Sequence, residues 1–126
     1  LVLHWINSSS TVLNLALETS KPGWAAVGWS VDGRMAGSDA VVGNSNTPGL
    51  YTLTSTSPGD QHLMVTTSLV GGIETTPNLK YPDGKFIKFS RTEGTGQVPV
   101  KLSGPSAIIY AFSADGSTTF SYHGPN

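Results

Sequence analysis

Apolar side chains recur at every second position in several short segments of this chain, a period typical of half-buried β-strands. In residues 11–18, for example, Leu13, Leu15 and Leu17 alternate with polar or small residues. Gly, Pro, Asn and Asp separate such segments at intervals of roughly 8–12 residues, and no segment has a convincing helical period. The pattern predicts an all-β fold of roughly 9–11 short strands, packed as an Ig-like antiparallel β-sandwich of two sheets.

The turn signals divide the chain into predicted strands. They cover residues 1–6, 11–18, 24–31, 40–42, 50–56, 61–69, 73–76, 85–91, 106–113 and 118–123. The first two are predicted to form a hairpin. We expect residues 73–76 to pair back on 61–69 across Gly71-Gly72, and the wholly apolar residues 106–113 to form a central strand. Residues 98–102 contain Pro99 and are predicted to be an edge strand or irregular.

Two of these segments organise the chain, and a short connection between them carries a methionine. Residues 24–30 are apolar at nearly every position, and the second segment ends in Ala40-Val41-Val42. Asp32-Gly33 predicts a turn, and Arg34-Met35 follows it. A flexible thioether at the tip of a turn is an unusual choice for packing alone, whereas turn tips commonly present side chains to ligands. Met35 is therefore the first candidate for a functional residue.

Length and composition narrow the class of protein. The 126 residues are enough for one domain, residues 1–126, with its own core. Charged residues make up 12% and the net charge is −1, which provides no electrostatic footprint for nucleic acid. The apolar runs are short and broken, so membrane insertion by this segment is not expected. Without cysteine the chain has no disulfide, no thiolate metal ligand and no C-x-x-C-H haem attachment. The sequon Asn7-Ser8-Ser9 permits glycosylation if a eukaryote secretes the chain.

The candidate chemistry rests mainly on histidine. His4, His62 and His123 lack the local spacing of a metal motif, and His4 and His62 are first interpreted as ordinary strand residues. His123 differs because it follows Phe120 and Tyr122 and precedes a glycine that lets a flat group approach the backbone. Nucleophile motifs are absent, and most aspartates stand in turns beside glycine. We therefore do not expect a catalyst.

Specific motifs resemble one known family, the DOMON domains. The clearest is Gly23-Trp24-Ala25-Ala26-Val27-Gly28 followed by Met35-Ala36-Gly37-Ser38-Asp39-Ala40. Further similar segments are residues 3–5, 86–91, 108–112 and 120–124. The resemblance covers nearly the whole chain.

The resemblance implies a function. DOMON domains are Ig-like β-sandwiches, and one branch binds b-type haem between a methionine and a histidine. That branch includes the cytochrome domain of cellobiose dehydrogenase and extracellular domains attached to cytochrome b561 membrane proteins. Met35 and His123 match its ligand positions, with His62 as the internal competitor of His123. The resemblance thus implies non-covalent haem b, with Met35 and His123 as the axial ligands of the haem iron.

Other expectations follow from the same resemblance. Tyr122, Phe120 and Trp29 are candidates for the haem slot or its core, and Arg34 for a propionate partner, although a solvated turn residue is its more ordinary role. The domain would transfer electrons rather than catalyse, alone or within a larger oxidoreductase. Its partner would be a cytochrome b561-like, dehydrogenase or oxidase protein or domain. Its location would be extracellular or otherwise extracytoplasmic, including as part of a membrane-anchored protein.

Two alternatives remain open. Other DOMON branches lack the ligands, so this chain could be a haem-free module that binds a carbohydrate or another small ligand on a sandwich face. Trp5, Trp24 and Tyr81 would then be exposed stacking platforms. The third and weaker alternative is a purely adhesive Ig-like domain.

Overall fold

The computed structural model describes residues 1–43, 48–54, 61–63, 72–113 and 116. Nine strands and no helix lie in this part of the chain. The strands are β1 (Val2–Asn7), β2 (Val12–Thr19), β3 (Ala25–Ser30), β4 (Ser38–Gly43), β5 (Gly49–Leu53), β6 (Gln61–Leu63), β7 (Glu74–Pro77), β8 (Lys85–Thr92) and β9 (Ala107–Phe112). They form an antiparallel four-stranded sheet in the order β1-β2-β8-β7 and a five-stranded sheet in the order β6-β5-β4-β3-β9. The prediction of an all-β, two-sheet sandwich is confirmed.

The β1–β2 hairpin begins the four-stranded sheet, as the alternating pattern predicted. Leu3 lies opposite Leu17 in its register. Every second residue of β2 is buried, beginning at Leu13. The connecting turn is held by the Ser9 hydroxyl, which accepts hydrogen bonds from the backbone N–H groups of Thr11 (3.2 Å) and Val12 (3.1 Å). Local side-chain bonding of this kind replaces the ladder where the strands separate.

The main core lies between the two sheets. The Trp29 ring meets the Phe89 ring edge-on, with centroids 6.4 Å apart. Burying a large apolar side chain stabilises a fold by about 1.5–3 kcal/mol, so this layer dominates the stability. Its buried members are Leu13, Leu15, Leu17, Ala25, Val27, Trp29, Val41, Leu50, Ile87, Phe89, Val98 and Val100.

A second apolar cluster lies on the other face of the five-stranded sheet, and we call it the outer cluster. It follows from strand alternation, since neighbours of core residues in β3, β4 and β5 point the opposite way. Because both faces are covered, all residues of β3 and β4 are buried, which explains their nearly continuous apolar sequence. The outer cluster consists of Trp24, Ala26, Ala40, Val42, Tyr51 and Leu53, with Met35, Ile109 and Ala111 packed against it.

The structure corrects two sequence-based expectations about pairing. Glu74–Pro77 does not pair with β6, because its partner is β8 and it lies in the four-stranded sheet. Partners across two layers are chosen by long-range packing, which a local turn signal does not report. Strand β9 is the outermost strand of the described five-stranded sheet rather than a central one, and its side chains alternate between partly buried and exposed.

Three further predictions concern residues 98–102, Trp24 and residues 118–123. Residues 98–102, predicted to be an edge strand or irregular, form no strand. The side chains of Val98 and Val100 fill the core. Trp24 is not an exposed platform, since only 5% of it is accessible to solvent. The predicted strand at residues 118–123 lies outside the described residues.

A buried charge pair connects the two sheets inside the core. Arg91 of β8 and Asp39 of β4 are both fully buried, with Nη2 and Oδ2 4.0 Å apart. The guanidinium lies 4.5 Å from the Trp29 ring centre, a cation–π geometry. Burial lowers the pKa of Arg91 to about 10, against the opposing effect of the Asp39 charge, so the guanidinium remains charged at neutral pH.

Backbone groups of residues 92–100 complete the environment of the pair. Arg91 Nη2 donates to the Thr95 carbonyl at 2.9 Å, and the Val98 N–H donates to Asp39 Oδ2 at 2.9 Å. Arg91 Nε and Nη1 and Asp39 Oδ1 have no hydrogen-bond partner in the described part of the chain. A Cβ atom on Gly96 would collide with the Arg91 guanidinium and the Asp39 carboxylate, so this loop approaches the pair as bare backbone.

Removing one member of the pair is expected to destabilise the protein strongly. Arg91→Ala should lower the free energy of unfolding by about 3–5 kcal/mol, since the Asp39 charge stays buried without compensation. The double variant Asp39→Leu with Arg91→Met should lose much less, because no charge is left behind and some polar atoms of the pair are already unsatisfied. Urea denaturation measures both losses. Lys88→Ala, on the exposed face of the same strand, is the control and should change stability by at most about 0.5 kcal/mol. A double variant that loses at least as much as Arg91→Ala would contradict this account.

Candidate functional site

The turn between β3 and β4 carries Met35 and is built from short polar side chains. Asp32 Oδ1 accepts a hydrogen bond from the Arg34 N–H at 3.0 Å. The Ser30 hydroxyl accepts one from the Gly33 N–H at 2.9 Å. Gly33 has φ = +81°, a conformation that a residue with a Cβ adopts only with strain. The Asp32-Gly33 turn signal in the sequence therefore corresponds to a closed, hydrogen-bonded turn.

Two serine hydroxyls fix the backbone immediately before Met35. The Arg34 carbonyl accepts hydrogen bonds from Ser30 Oγ at 2.8 Å and from Ser38 Oγ at 2.6 Å. The first serine ends β3 and the second begins β4, so the carbonyl is held from both strands. Sequence reasoning missed these serines. The only signal was their position at the two strand ends.

The segment after Met35 is attached to the neighbouring strand. The Gly37 N–H donates to the Leu53 carbonyl of β5 at 2.7 Å. The Ser38 N–H donates to the Met35 carbonyl at 3.2 Å, which closes a tight turn. Met35 is thus held through backbone bonds next to three strands of the five-stranded sheet.

The Met35 side chain lies against the outer cluster and is partly buried. That cluster is aliphatic and aromatic. Its alanines in β3 and β4 have short side chains, so the middle of the cluster projects less far from the sheet than its ends. A Cβ atom placed on Gly28, between them, would press on Ile109 and Ala40 side chains. Met35 therefore combines a soft sulfur donor with apolar surroundings at the edge of the sheet.

Neither Trp29 nor Arg34 belongs to the outer cluster that Met35 packs against. Trp29 is only 3% exposed and faces the main core, on the opposite side of the five-stranded sheet from the outer cluster. The sequence allowed Trp29 either in a haem slot or in the core, and the structure places it in the core. The Arg34 side chain is 85% exposed, and its Nε lies 3.8 Å from Asp32 Oδ2. An ion pair this exposed contributes little to stability.

The structure describes only some of the remaining residues that the sequence predicted for the site. Phe120, Tyr122 and His123 lie outside the described residues. His62 lies in β6, opposite Thr52 of β5, in the five-stranded sheet whose β3–β4 turn carries Met35.

His4 belongs to the other sheet. Its Nε2 lies 2.9 Å from Glu18 Oε2, and this hydrogen bond is the main reason that the pKa of Glu18 is lowered. Within the described ranges, no three His, Asp or Glu side chains come together as a metal site. In that same part of the chain, no helix is long and apolar enough to cross a membrane.

A scan against protein-family models finds no match to this chain, and searches of curated proteins and of solved structures find no similar protein. The likeness to DOMON domains therefore rests on the sequence motifs quoted above. The geometry around Met35 stands independently of that likeness.

The pKa of the Asp32 carboxyl should depend on whether the hydrogen bonds of the turn that carries Met35 are intact. This pKa is lowered, first by the hydrogen bond from the Arg34 N–H, then by the Ser30 hydroxyl, and only afterwards by the Arg34 charge. Ser30 Oγ lies 3.3 Å from Asp32 Oδ1 and shares its proton between this oxygen and the nearer Arg34 carbonyl. Because the folded-state pKa is depressed, this carboxylate stabilises the turn above its unfolded pKa, and the effect is lost as the pH falls through the folded pKa.

We expect NMR titration of the Asp32 carboxyl carbon to give a pKa below the usual value for aspartate. Ser30→Ala should raise this pKa more than Arg34→Ala does, because the hydroxyl contributes more than the exposed guanidinium. A larger increase in Arg34→Ala would mean that charge, and not the hydrogen-bonded turn, controls the carboxyl.

Proposed function

We propose that this chain is a b-type haem-binding electron-transfer domain, with Met35 and His123 as the axial ligands. The observation that carries the proposal is the placement of Met35. Its turn is fixed by the Ser30 and Ser38 hydroxyls, and its thioether lies beside an apolar cluster outside the sandwich core. The DOMON resemblance supplies the identity of the cofactor and of the second ligand.

The described residues around Met35 fit one side of a haem. A non-covalent haem needs an apolar environment and ligands from the protein, and thioether sulfur is a soft ligand suited to ferrous iron. The outer cluster provides aliphatic and aromatic side chains with little solvent exposure. The cysteine-free sequence requires that the group be held without thioether bonds.

Each element has a distinct role in this proposal. A bound haem would supply one-electron redox chemistry, and methionine ligation favours a higher reduction potential. The serine-bonded turn keeps the Met35 backbone in place in both redox states. The outer cluster covers part of Met35 and so limits the access of water to it. Two ligands from the protein would leave the metal no open position, which suits electron transfer better than catalysis.

The proposed partners and location follow from the same reading. The domain would exchange electrons with a cytochrome b561-like, dehydrogenase or oxidase partner, fused or separate. It would act in an extracellular or other extracytoplasmic compartment.

Visible absorption spectroscopy tests the proposal directly. Purified protein, or protein reconstituted with haemin, should give a strong Soret band and sharp α and β bands after dithionite. A pyridine haemochrome assay should give one haem b per chain. A colourless protein that takes up no added haemin would overturn the proposal.

Two pairs of variants test the ligands. Met35→Leu conserves volume and should cost at most about 1.5 kcal/mol of stability, but it should lower the reduction potential and disturb the low-spin spectrum. Met64→Leu, at the other methionine in the sequence, is the control and should leave the spectrum unchanged. His123→Ala should abolish the six-coordinate low-spin spectrum, while His62→Ala should preserve it. The reverse result for the two histidines would reassign the second ligand.

A specific observation favours a second function, binding of a carbohydrate without haem. The outer face of the four-stranded sheet holds a groove of about 500 Å³. In the strand register Ala16 lies between His4 and Lys88. The floor of the groove is therefore a small side chain between two larger ones. The groove is lined by His4, Trp5, Ile6, Asn14, Leu15, Ala16, Gly72, Glu74, Lys88, Phe89 and Ser90.

The polar groups in this groove suit a neutral ligand rich in hydroxyl groups. Ser90 Oγ donates to Asn14 Oδ1 at 2.6 Å, which leaves the two amide donors of Asn14 for a ligand or water. Glu74 lies opposite Lys88, so acceptor and donor groups border the groove together.

Calorimetry with a panel of neutral oligosaccharides tests this second function. If one binds, Asn14→Ala should weaken its affinity by about tenfold, equivalent to one or two lost hydrogen bonds. Lys101→Ala, exposed and outside the groove, should leave the affinity unchanged. Binding that is insensitive to Asn14→Ala would place the ligand elsewhere.

A further inference from the structure

The sequon Asn7-Ser8-Ser9 lies at the end of β1 and in the hairpin turn that follows it. Asn7 is the last residue of the strand and is exposed, as are the residues of the turn. The Ser9 hydroxyl bonds to the backbone of Thr11 and Val12, so the turn has a defined shape. Strand β1 is also an edge strand of its sheet in the described part of the chain. The exposure of Asn7 and of the following turn leaves room for a bulky group on the Asn7 side chain.

Trp5 lies two residues before the sequon asparagine. Side chains two apart in a strand share a face and are separated by roughly 7 Å along the strand. Trp5 lies opposite Leu15 and Asn7 opposite Leu13, and both of those leucines face the same side of the sheet. Trp5 is 68% exposed, whereas Trp24 and Trp29 are 5% and 3% exposed. Of the three tryptophans, Trp5 is the one exposed to solvent, and it lies two residues from the sequon asparagine.

We propose that Asn7 carries an N-linked glycan and that its first sugar ring stacks on the indole of Trp5. In this step the Asn7 amide nitrogen forms a bond to the anomeric carbon of the glycan. The bond from that carbon to a lipid pyrophosphate carrier breaks, and the nitrogen loses a proton. The inference rests on the proposed extracytoplasmic location and is independent of haem binding.

The two parts of the inference support each other physically. The C–H groups on one face of a sugar pack well on an aromatic ring that has an apolar body and a polar edge. A glycan here would cover Trp5 and hinder pairing of another chain with edge strand β1. The 68% exposure of Trp5 would otherwise be an apolar liability on that edge.

Secretion of the full chain from eukaryotic cells tests the modification. Intact mass spectrometry should show a glycan that peptide N-glycosidase removes, with conversion of Asn7 to aspartate. Asn7→Gln should abolish the mass increment, while Asn14→Gln, in the same hairpin but outside a sequon, should retain it. Ser9→Ala is a poor variant for this purpose, since it also removes the hydrogen bonds of the turn. Secreted protein without a glycan at Asn7 would overturn the proposal.

Iodide quenching of tryptophan fluorescence tests the stacking. Because Trp24 and Trp29 are buried, quenching reports mainly on Trp5. The glycosylated chain should be quenched at least twofold less than Asn7→Gln made in the same cells. Trp5→Phe should remove this difference while keeping the glycan. Equal quenching of the two proteins would overturn the stacking and leave the modification itself to the mass measurement. The haem spectrum should be the same in all these variants, which separates this inference from the proposed function.

Discussion

A buried ion pair between the two sheets constrains how they lie against each other. Arg91 on β8 and Asp39 on β4 are fully buried, and both are held by the backbone of residues 95–98. A charge inside an apolar core is tolerated only with a partner and hydrogen bonds at fixed places. As long as both charges are present, β4 must keep Asp39 beside Arg91, with the Trp29 ring packed on the guanidinium.

Strand β4 transmits that constraint to the opposite face of its sheet. Asp39 points into the core, and its neighbour Ser38 points the other way and donates to the Arg34 carbonyl at 2.6 Å. The next residues alternate in the same manner, with Ala40 in the outer cluster and Val41 in the core. One short segment thus places both the pair that joins the sheets and the turn that carries Met35. A shift of β4 by one residue would exchange these roles and disrupt both.

Local patterns predicted the fold class and the turn but not the long-range arrangement. Alternation in β2 and continuous apolar residues in β3 and β4 reflect burial of one face or two, so they are readable from sequence. Alternation does not reveal how a tryptophan beside a strand end is covered: the carbohydrate-binding alternative required an exposed Trp24, which is in fact 5% exposed. The partner of β7 and the bonding of Ser30 and Ser38 depend on residues that meet only in the folded chain. The Asp32-Gly33 signal predicted the turn, whereas the hydrogen bonds of Ser30 and Ser38 that hold it are visible only in the structure.

The geometry around Met35 is compatible with the axial-ligand role that we propose for it. A thioether that only fills space is adaptable and needs no fixed backbone, since its three rotatable bonds accommodate irregular gaps. Here the carbonyl before Met35 accepts two hydroxyl donors, and the amide of Gly37 is bound to β5. Such fixation is useful where an atom must stay at bonding distance from a metal through a change of charge. It is also economical, because the groups that fix the turn are short side chains at strand ends and leave the apolar cluster intact. The turn therefore has the fixed backbone that the proposed axial ligand would need.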